Sequence, residues 1–153
     1  MTELLPVGLE ATAALAEVHA AAFDKPWSAK DLAALMESPG VGAVAAGSDA
    51  GFDGFVLVRS VAGEAEVLTL AVRPDARRAG IGLALTEAGA GIAAATGAEV
   101  LWLEVAADND AAISLYRRAG FEAAGRRAGY YQRAAGPAVD AIVLRRVLNS
   151  GAS

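Results

Sequence analysis

The sequence predicts one α/β domain in which helices flank both faces of a mixed β-sheet. The chain has 153 residues, the length of a single domain, and 55% of them are hydrophobic, enough for one core. Near its middle, a strand at 64–72 precedes a glycine-containing loop, a helix at 82–95 and a strand at 99–106. This order indicates two parallel strands joined by a crossover. The other β-rich runs resemble hairpins, so we expect a mixed sheet and a single domain over residues 1–153.

Two helices are predicted before the first β-rich run. Residues 9–22 are rich in alanine, the strongest helix former. Ser28 then begins a second helix, because Ser28 and Asp31 stand at the spacing of a capping pair. Pro39 ends this helix.

The remaining elements follow from apolar periodicity and from the turn residues between them. They are strands at 41–46, 52–60, 121–127 and 139–147 and a helix at 109–119. Gly120 stands directly after that helix, at the position where glycine commonly closes one.

Composition restricts the compartment and the chemistry. The chain has no cysteine, which excludes disulfides, thiolate metal sites and a cysteine nucleophile and suits a reducing compartment. Glu3 and Glu10 lie where a secretory signal would carry positive charge. The longest apolar stretch, 83–107, contains three glutamates, whereas a membrane span needs about 20 nearly uninterrupted apolar residues. We therefore expect a soluble, cytoplasmic protein without membrane contact.

The charge distribution indicates which partners the chain could bind. A net charge of −5 argues against direct nucleic-acid binding. Residues 1–66 hold three basic and ten acidic residues, a sum of −7, whereas residues 67–153 hold ten arginines and eight acidic residues, a sum of +2. The first part would attract a cationic partner, and the second could contact phosphates. A solvated surface without a partner is the alternative.

The loop at 77–82 is a candidate phosphate site. The N–H groups at a helix start lack intrahelical partners, and the helix dipole adds positive charge. Gly80 and Gly82 would let a phosphate approach the backbone, and Arg77 and Arg78 add charge. An ordinary βα turn is the alternative. A P-loop is excluded because Leu83 stands where lysine would follow the last glycine, and the third glycine of a dinucleotide fingerprint is missing.

Glu104 and Tyr116 are the side chains best suited to acid–base chemistry. Glu104 lies inside an apolar strand, where a carboxylate is costly unless it is paired, hydrated or protonated, and such a group can serve as a general base. A glutamate on an edge strand facing water is the alternative. Tyr116 lies on the inward side of the next helix, where a core aromatic residue is the simpler interpretation.

The chain has one histidine, His19, which lies in the alanine-rich helix without a nucleophile motif nearby, so we assign it a structural role. No histidines and carboxylates have the spacing of metal ligands, and we expect no metal.

Taken together, these segments resemble the GNAT acetyltransferases. Residues 77–82, Arg-Arg-Ala-Gly-Ile-Gly, fit the Q/R-x-x-G-x-G/A pyrophosphate loop of that family. Several further segments resemble one branch, the RimI-like ribosomal-protein-alanine N-acetyltransferases. They are Phe23 with Pro26-Trp27-Ser28, Leu101-Trp-Leu-Glu-Val105, Asn109, Ala111-Ala-Ile-Ser-Leu-Tyr116, Gly120-Phe121, Gly129-Tyr-Tyr131 and Asp140-Ala-Ile142. The resemblance spans nearly the whole chain. One departure is Leu83, where the family often has a basic residue.

The resemblance implies a seven-stranded mixed sheet whose central parallel strands splay apart to admit acetyl-CoA. The backbone of Leu70, Ala71 and Val72 would bond the pantetheine arm. Glu104 would accept the proton of the amine, and Tyr116 would protonate the leaving thiolate. The other cofactor-binding residues that it implies are Arg77, Arg78, Ala79, Gly80, Ile81, Gly82 and Leu83 at the pyrophosphate, and Asn109.

The expected reaction is direct acetyl transfer from acetyl-CoA to a primary amine. The expected acceptor is the N-terminal α-amine of a protein, a ribosomal protein by resemblance, presented as a basic peptide to the acidic first part of the chain. One alternative is a GNAT enzyme that acetylates a small-molecule amine or a lysine. A non-catalytic acyl-CoA-binding module is another, and a nucleotide-binding α/β protein is disfavoured by the missing motifs.

Overall fold

A computed structural model describes residues 3–48, 51–77, 80–132 and 136–148, and these form a seven-stranded mixed sheet with helices on both faces. The strands are β1 (Glu3–Val7), β2 (Val41–Ser48), β3 (Gly51–Val61), β4 (Glu64–Val72), β5 (Val100–Ala106), β6 (Glu122–Tyr131) and β7 (Val139–Val147). The α-helices are α1 (Thr12–Ala22), α2 (Ala29–Glu37), α3 (Ile81–Ala95) and α4 (Asp110–Arg118), with short 3-10 turns at Leu9–Ala11 and Pro74–Ala76. The order across the sheet is β1-β2-β3-β4-β5-β7-β6, which confirms the predicted α/β class.

The parallel strands β4 and β5 are paired at one end only. Their register runs from Glu64 opposite Val100 to Glu66 opposite Trp102. Beyond that point β4 continues in register with β3 as far as Val72, and β5 continues in register with β7. The two central strands therefore separate toward their C-terminal ends, as the resemblance implied.

Each face of the sheet has its own core. One contains Leu85 of α3, Tyr116 of α4 and the inward residues Leu101 and Leu103 of β5. The opposite core contains residues of α1 and α2 packed on β2, β3 and β4. Among the described elements, α1 and α2 pack mainly on β2, β3 and β4, and β5, β7 and β6 lie outside their main contacts. None of the described helices has the length and apolar character needed to cross a membrane.

The boundaries of α2 follow from its sequence signals. The Ser28 hydroxyl accepts a hydrogen bond from the Asp31 N–H at 3.1 Å, as the capping pair predicted. The helix ends at Glu37, before Pro39.

The sequence prediction was wrong at two strands. It omitted β1, a short edge strand whose Leu4 and Leu5 are largely exposed and which contains Pro6, so that it has little of the pattern of a half-buried strand. It also ended the strand after 121 at residue 127, whereas β6 continues to Tyr131 through a bulge.

Candidate active site

The N-terminus of α3 lies at the end of β4, where β4 and β5 have separated. Gly80 precedes the helix with φ of +78°, a left-handed conformation that favours glycine. The first hydrogen bond of the helix runs from the Ala84 N–H to the Gly80 carbonyl. The N–H groups of residues 81–83 therefore have no carbonyl partner within the helix. Apart from the residues next to it in the chain, no atom of the described residues lies within 4 Å of a Cβ built on Gly80. Within the described part of the chain, an anion could therefore approach this helix start without displacing protein atoms.

The other residues of the predicted pyrophosphate loop are described in part. Arg77 is exposed four residues before the helix begins at Ile81, and Leu83 is 39% exposed on its first turn. Ile81 is buried and joins the core beneath the helix. Arg78 and Ala79 lie outside the described residues.

The C-terminal half of β4 has one strand neighbour. Leu70, Ala71 and Val72 are in register with Val56, Phe55 and Gly54 of β3. On the other side, the described pairing with β5 ends at Glu66. The backbone edge that would bond the pantetheine arm, as the family resemblance implies, therefore faces the gap between β4 and β5.

Glu104 lies on β5 beyond the last pair with β4. Its neighbours Leu103 and Val105 point into the core, so its side chain lies on the opposite face, where it is 25% exposed. Its Oε1 is 3.1 Å from Nε of Arg127. β5 lies between β4 and β7 in the sheet, but at Glu104 its only partner among the described strands is β7. The carboxylate in the apolar strand is thus paired with a cation that sequence analysis did not identify.

Tyr116 lies in the core on α4 and is 8% exposed. Its ring packs edge-on against Phe121, with the centroids 5.7 Å apart. Burial raises the pKa of Tyr116 to about 12, and electrostatic repulsion from Tyr131 adds to the rise. The phenol is therefore protonated throughout the physiological range, as a proton or hydrogen-bond donor must be.

Asn109 follows β5 and forms the N-cap of α4. Its Oδ1 accepts a hydrogen bond from the Ala112 N–H at 3.1 Å. α4 approaches the start of α3 closely, since a Cβ on Gly82 would lie 3.3 Å from Leu115. The first turn of α3 therefore packs against the C-terminal half of α4, and the N-terminus of α4 follows the end of β5. Capping gives Asn109 a structural role, and its predicted contact with the cofactor stays a prediction.

The bulge in β6 lies beside the site and is bordered or occupied by Arg127, Tyr130 and Tyr131, to which sequence analysis assigned no role. Arg127 is in register with Ala141 and Tyr131 with Val139, so three residues of β6 lie opposite Asp140. The guanidinium carbon of Arg127 lies 5.3 Å from the centre of the exposed Tyr130 ring. The resemblance had included Gly129-Tyr-Tyr131 without assigning a role. Arg127 gave no signal, because only the register of three strands brings it to Glu104.

Asp140 holds the bulge in shape. Its Oδ1 accepts a hydrogen bond from the Gly129 N–H at 2.8 Å, and its Oδ2 is paired with Nε of Arg126. The Gly129 and Arg126 hydrogen bonds lower the pKa of Asp140. Gly129 has φ of +59°, which favours glycine at this turn of the strand. The backbone that carries Arg127 and Tyr131 is therefore fixed by one carboxylate.

His19 is a buried residue of α1 that contacts β4 through Thr69. Its ring is stacked between Phe23 and Trp27, its Nδ1 accepts the Trp27 N–H, and its Nε2 bonds Thr69 Oγ1 at 3.2 Å. Burial lowers the pKa of His19, so the neutral ring serves both contacts. This agrees with the structural role predicted for it.

Two other features of the structure could form a competing site. A cavity of about 490 Å³ lies beside α4 and is lined in part by Ile113, Arg117, Arg126 and Ile142, but by neither Glu104 nor Tyr116. Within residues 3–48, 51–77, 80–132 and 136–148, no three side chains of the metal-ligating types lie together. The separated ends of β4 and β5 are therefore the candidate active site.

Comparison with known proteins points to acetyl transfer. The sequence model of the acetyltransferase (GNAT) family matches residues 12–121. The chain is 41% identical over 90 residues to the [ribosomal protein bS18]-alanine N-acetyltransferase of Escherichia coli, a match that covers 59% of this chain and 60% of that relative's length. It is 38% identical over 137 residues to the N-alpha-acetyltransferase RimI of Mycobacterium tuberculosis, covering 86% and 83% of the two chains. The crystal structure of the ribosomal-protein-S18-alanine N-acetyltransferase from E. coli superimposes with a TM-score of 0.89 at 30% identity, covering 97% and 94% of the two chains.

Proposed function

Because the chain belongs to the acetyltransferase (GNAT) family, we propose that it transfers the acetyl group of acetyl-CoA to the N-terminal α-amine of a protein. The observation that carries the proposal is the separation of β4 and β5 beyond Glu66 and Trp102, with Glu104 on the strand that borders the gap. A thioester in the gap would lie beside β5, which carries Glu104 on one face and packs against the core that contains Tyr116 on the other. The proposed catalytic residues are Glu104 and Tyr116.

Acetyl-CoA fits the gap on grounds of backbone chemistry. The open edge of β4 at 70–72 offers N–H and carbonyl groups to an amide-containing arm. The N-terminus of α3 offers N–H groups and the positive end of a helix dipole to a pyrophosphate, with Arg77 beside it. We assign the pyrophosphate to 77–83 and assign Asn109 to the bound cofactor as well.

Glu104 is proposed as the base because an ammonium cannot attack a thioester. Once Glu104 has taken one proton, the amine nitrogen bonds to the carbonyl carbon, and the carbon–sulfur bond then breaks. An α-amine has a reference pKa of about 7.7 to 8.0, against about 10.4 for lysine, so a carboxylate removes its proton more easily. This difference favours an N-terminal amine over a lysine side chain.

Tyr116 is proposed to act on the leaving sulfur. Its pKa of about 12 lies above the reference value of about 8.5 for a thiol, so the phenol holds its proton more tightly than a thiolate would. Its main contribution is therefore a hydrogen bond to the sulfur as negative charge develops. The sulfur can receive a proton from Tyr116 along this bond, Tyr116 regains one from solvent, and the second proton of the amine nitrogen passes to solvent.

The proposed acceptor is a ribosomal protein, as for the E. coli relative, or a similar basic protein. The sum of −7 over residues 1–66 supports a cationic acceptor, and the net charge of −5 disfavours nucleic acid and anionic membrane as partners. We place the reaction in the cytoplasm, which a chain without cysteine suits.

The test compares three classes of acceptor with the purified full chain and acetyl-CoA. We expect an alanine-initiated peptide with a free α-amine to be acetylated faster than the same peptide blocked at its N-terminus but carrying lysine, and faster than small amines. Mass spectrometry of protein N-termini from cells with and without the protein then identifies the natural acceptor. Preferential acetylation of lysine or of a small amine would contradict the proposed acceptor, and absence of transfer to any amine would contradict the activity.

A further inference from the structure

The ion pair between Arg127 and Glu104 joins residues on two strands that are not neighbours. β7 lies between β5 and β6, and the register aligns Arg127 with Ala141 and Ala141 with Ala106. Strands are about 4.8 Å apart, so the arginine side chain must extend across β7 to reach the carboxylate. The small Ala141 stands where it crosses.

A guanidinium on Glu104 conflicts with the work of a base. Arginine stays protonated at any physiological pH, so it cannot pass on or receive the proton of the acceptor. An incoming ammonium would meet a like charge at the oxygen that it must approach. An ammonium that approaches Oε1 of Glu104 therefore competes with Arg127 for that oxygen.

The surroundings allow Arg127 to leave at little cost. Its side chain is 56% exposed, and ion pairs with such exposure are weak. Its guanidinium already lies 5.3 Å from the centre of the Tyr130 ring, and Tyr130 is 50% exposed. An arginine released from Glu104 thus has an aromatic face and solvent available to it.

We propose that Arg127 occupies the place of the acceptor's ammonium group and is displaced by it when the acceptor binds. The inference rests on the proposed function, in which Glu104 is the base. Exchange of one cation for another keeps the carboxylate neutralised, whereas an uncharged acceptor such as an alcohol would leave Glu104 without a cation. Arg127 is therefore a specificity-determining residue that favours cationic amines over uncharged acceptors. Because it competes for Glu104, it also lowers the affinity for the cationic amine.

The experiment measures steady-state acetylation of an alanine-initiated peptide by the full chain at saturating acetyl-CoA. Arg127→Gln is compared with Arg145→Gln, which removes the same charge from an exposed arginine on β7 that lies over Trp102. An exposed ion pair changes an equilibrium by about two- to five-fold, so KM for the peptide should fall by that factor in Arg127→Gln relative to Arg145→Gln. KM for acetyl-CoA should be the same in both. An equal or higher peptide KM in Arg127→Gln would overturn the inference.

Ethylguanidinium gives a second readout that does not depend on one KM value. It carries the head group of arginine, so it should compete with the peptide more strongly in Arg127→Gln, where the place beside Glu104 is vacant, than in Arg145→Gln. Equal inhibition of the two variants would overturn the inference.

Glu104→Gln separates this inference from the proposed function. Wild-type turnover in Glu104→Gln would contradict the proposal that Glu104 is the general base. If Glu104→Gln loses turnover while the two arginine variants behave alike, the base stands and only the role of Arg127 is wrong.

Discussion

Tyr116→Phe removes one buried hydroxyl and keeps the edge-on packing against Phe121. In the unfolded chain a tyrosine loses its proton near pH 10, whereas the folded protein holds the Tyr116 proton to about pH 12. Because the pKa of Tyr116 is higher in the folded protein, its contribution to the free energy of unfolding is fully present below pH 10 and is lost as pH rises toward 12. From these values, wild type should lose about 1 kcal/mol through this group by pH 11.

The assay follows denaturant unfolding of wild type and Tyr116→Phe from pH 8 to pH 11. Phenylalanine does not titrate, so the wild type should lose more stability than the variant over this interval, and the difference is the contribution of Tyr116. Comparison of the two proteins removes the effect of all other titrating groups. Parallel stability curves would refute the buried, protonated phenol on which the proposed role depends.

The same variant tests the chemistry at neutral pH. Because the hydroxyl acts mainly in the transition state, turnover should fall by about tenfold or more while acetyl-CoA affinity stays nearly unchanged. Loss of a hydroxyl at constant ring packing should change stability by about 1 kcal/mol or less. Wild-type turnover in folded Tyr116→Phe would contradict the proposed role of the hydroxyl and show that Tyr116 is a core residue only.

Three further predictions concern the loop, the bulge and the acceptor. Acetyl-CoA should raise the melting temperature of wild type and of Gly80→Asn, because asparagine tolerates the left-handed φ. It should not raise that of Gly80→Asp, which adds a carboxylate at the same place. An equal shift in both variants would contradict the phosphate site. Asp140→Ala should lower turnover more than Asp140→Asn, because asparagine can still accept the Gly129 N–H; equal turnover in wild type and both variants would show that the bulge does not position the site. Added salt should raise KM for a basic peptide acceptor more than for a neutral one, and equal KM changes would contradict docking on the acidic first part.

The fold was largely predictable because its signals are local. Short segments of the sequence contain three of these signals. They are the N-cap Ser28, the glycine after α4 at Gly120, and the strand–helix–strand order of β4, α3 and β5. β1 was missed because an exposed edge strand with a proline lacks the alternation that marks a half-buried strand. The bulge in β6 was missed because its shape depends on Asp140 of another strand.

The candidate site was predictable where residues adjacent in sequence form it. The helix start at Gly80 and the strand bearing Glu104 belong to one continuous crossover, so sequence pattern was sufficient to identify both. Arg127 reaches Glu104 only through the pairing of β5 with β7 and of β7 with β6. A contact of this kind depends on register across three strands, and no local pattern contains that information.

The central claim is that Glu104 accepts the proton of an amine acceptor at the gap between β4 and β5. The most direct test is the pH dependence of turnover for Glu104→Gln on an alanine-initiated peptide. We predict a loss of about 10²-fold or more near neutral pH that shrinks as pH rises and the amine loses its proton without help. The melting temperature should change by less than about 4 °C, since the ion pair with Arg127 is partly exposed. Wild-type turnover in the folded variant, or a deficit that stays constant with pH, would contradict the claim.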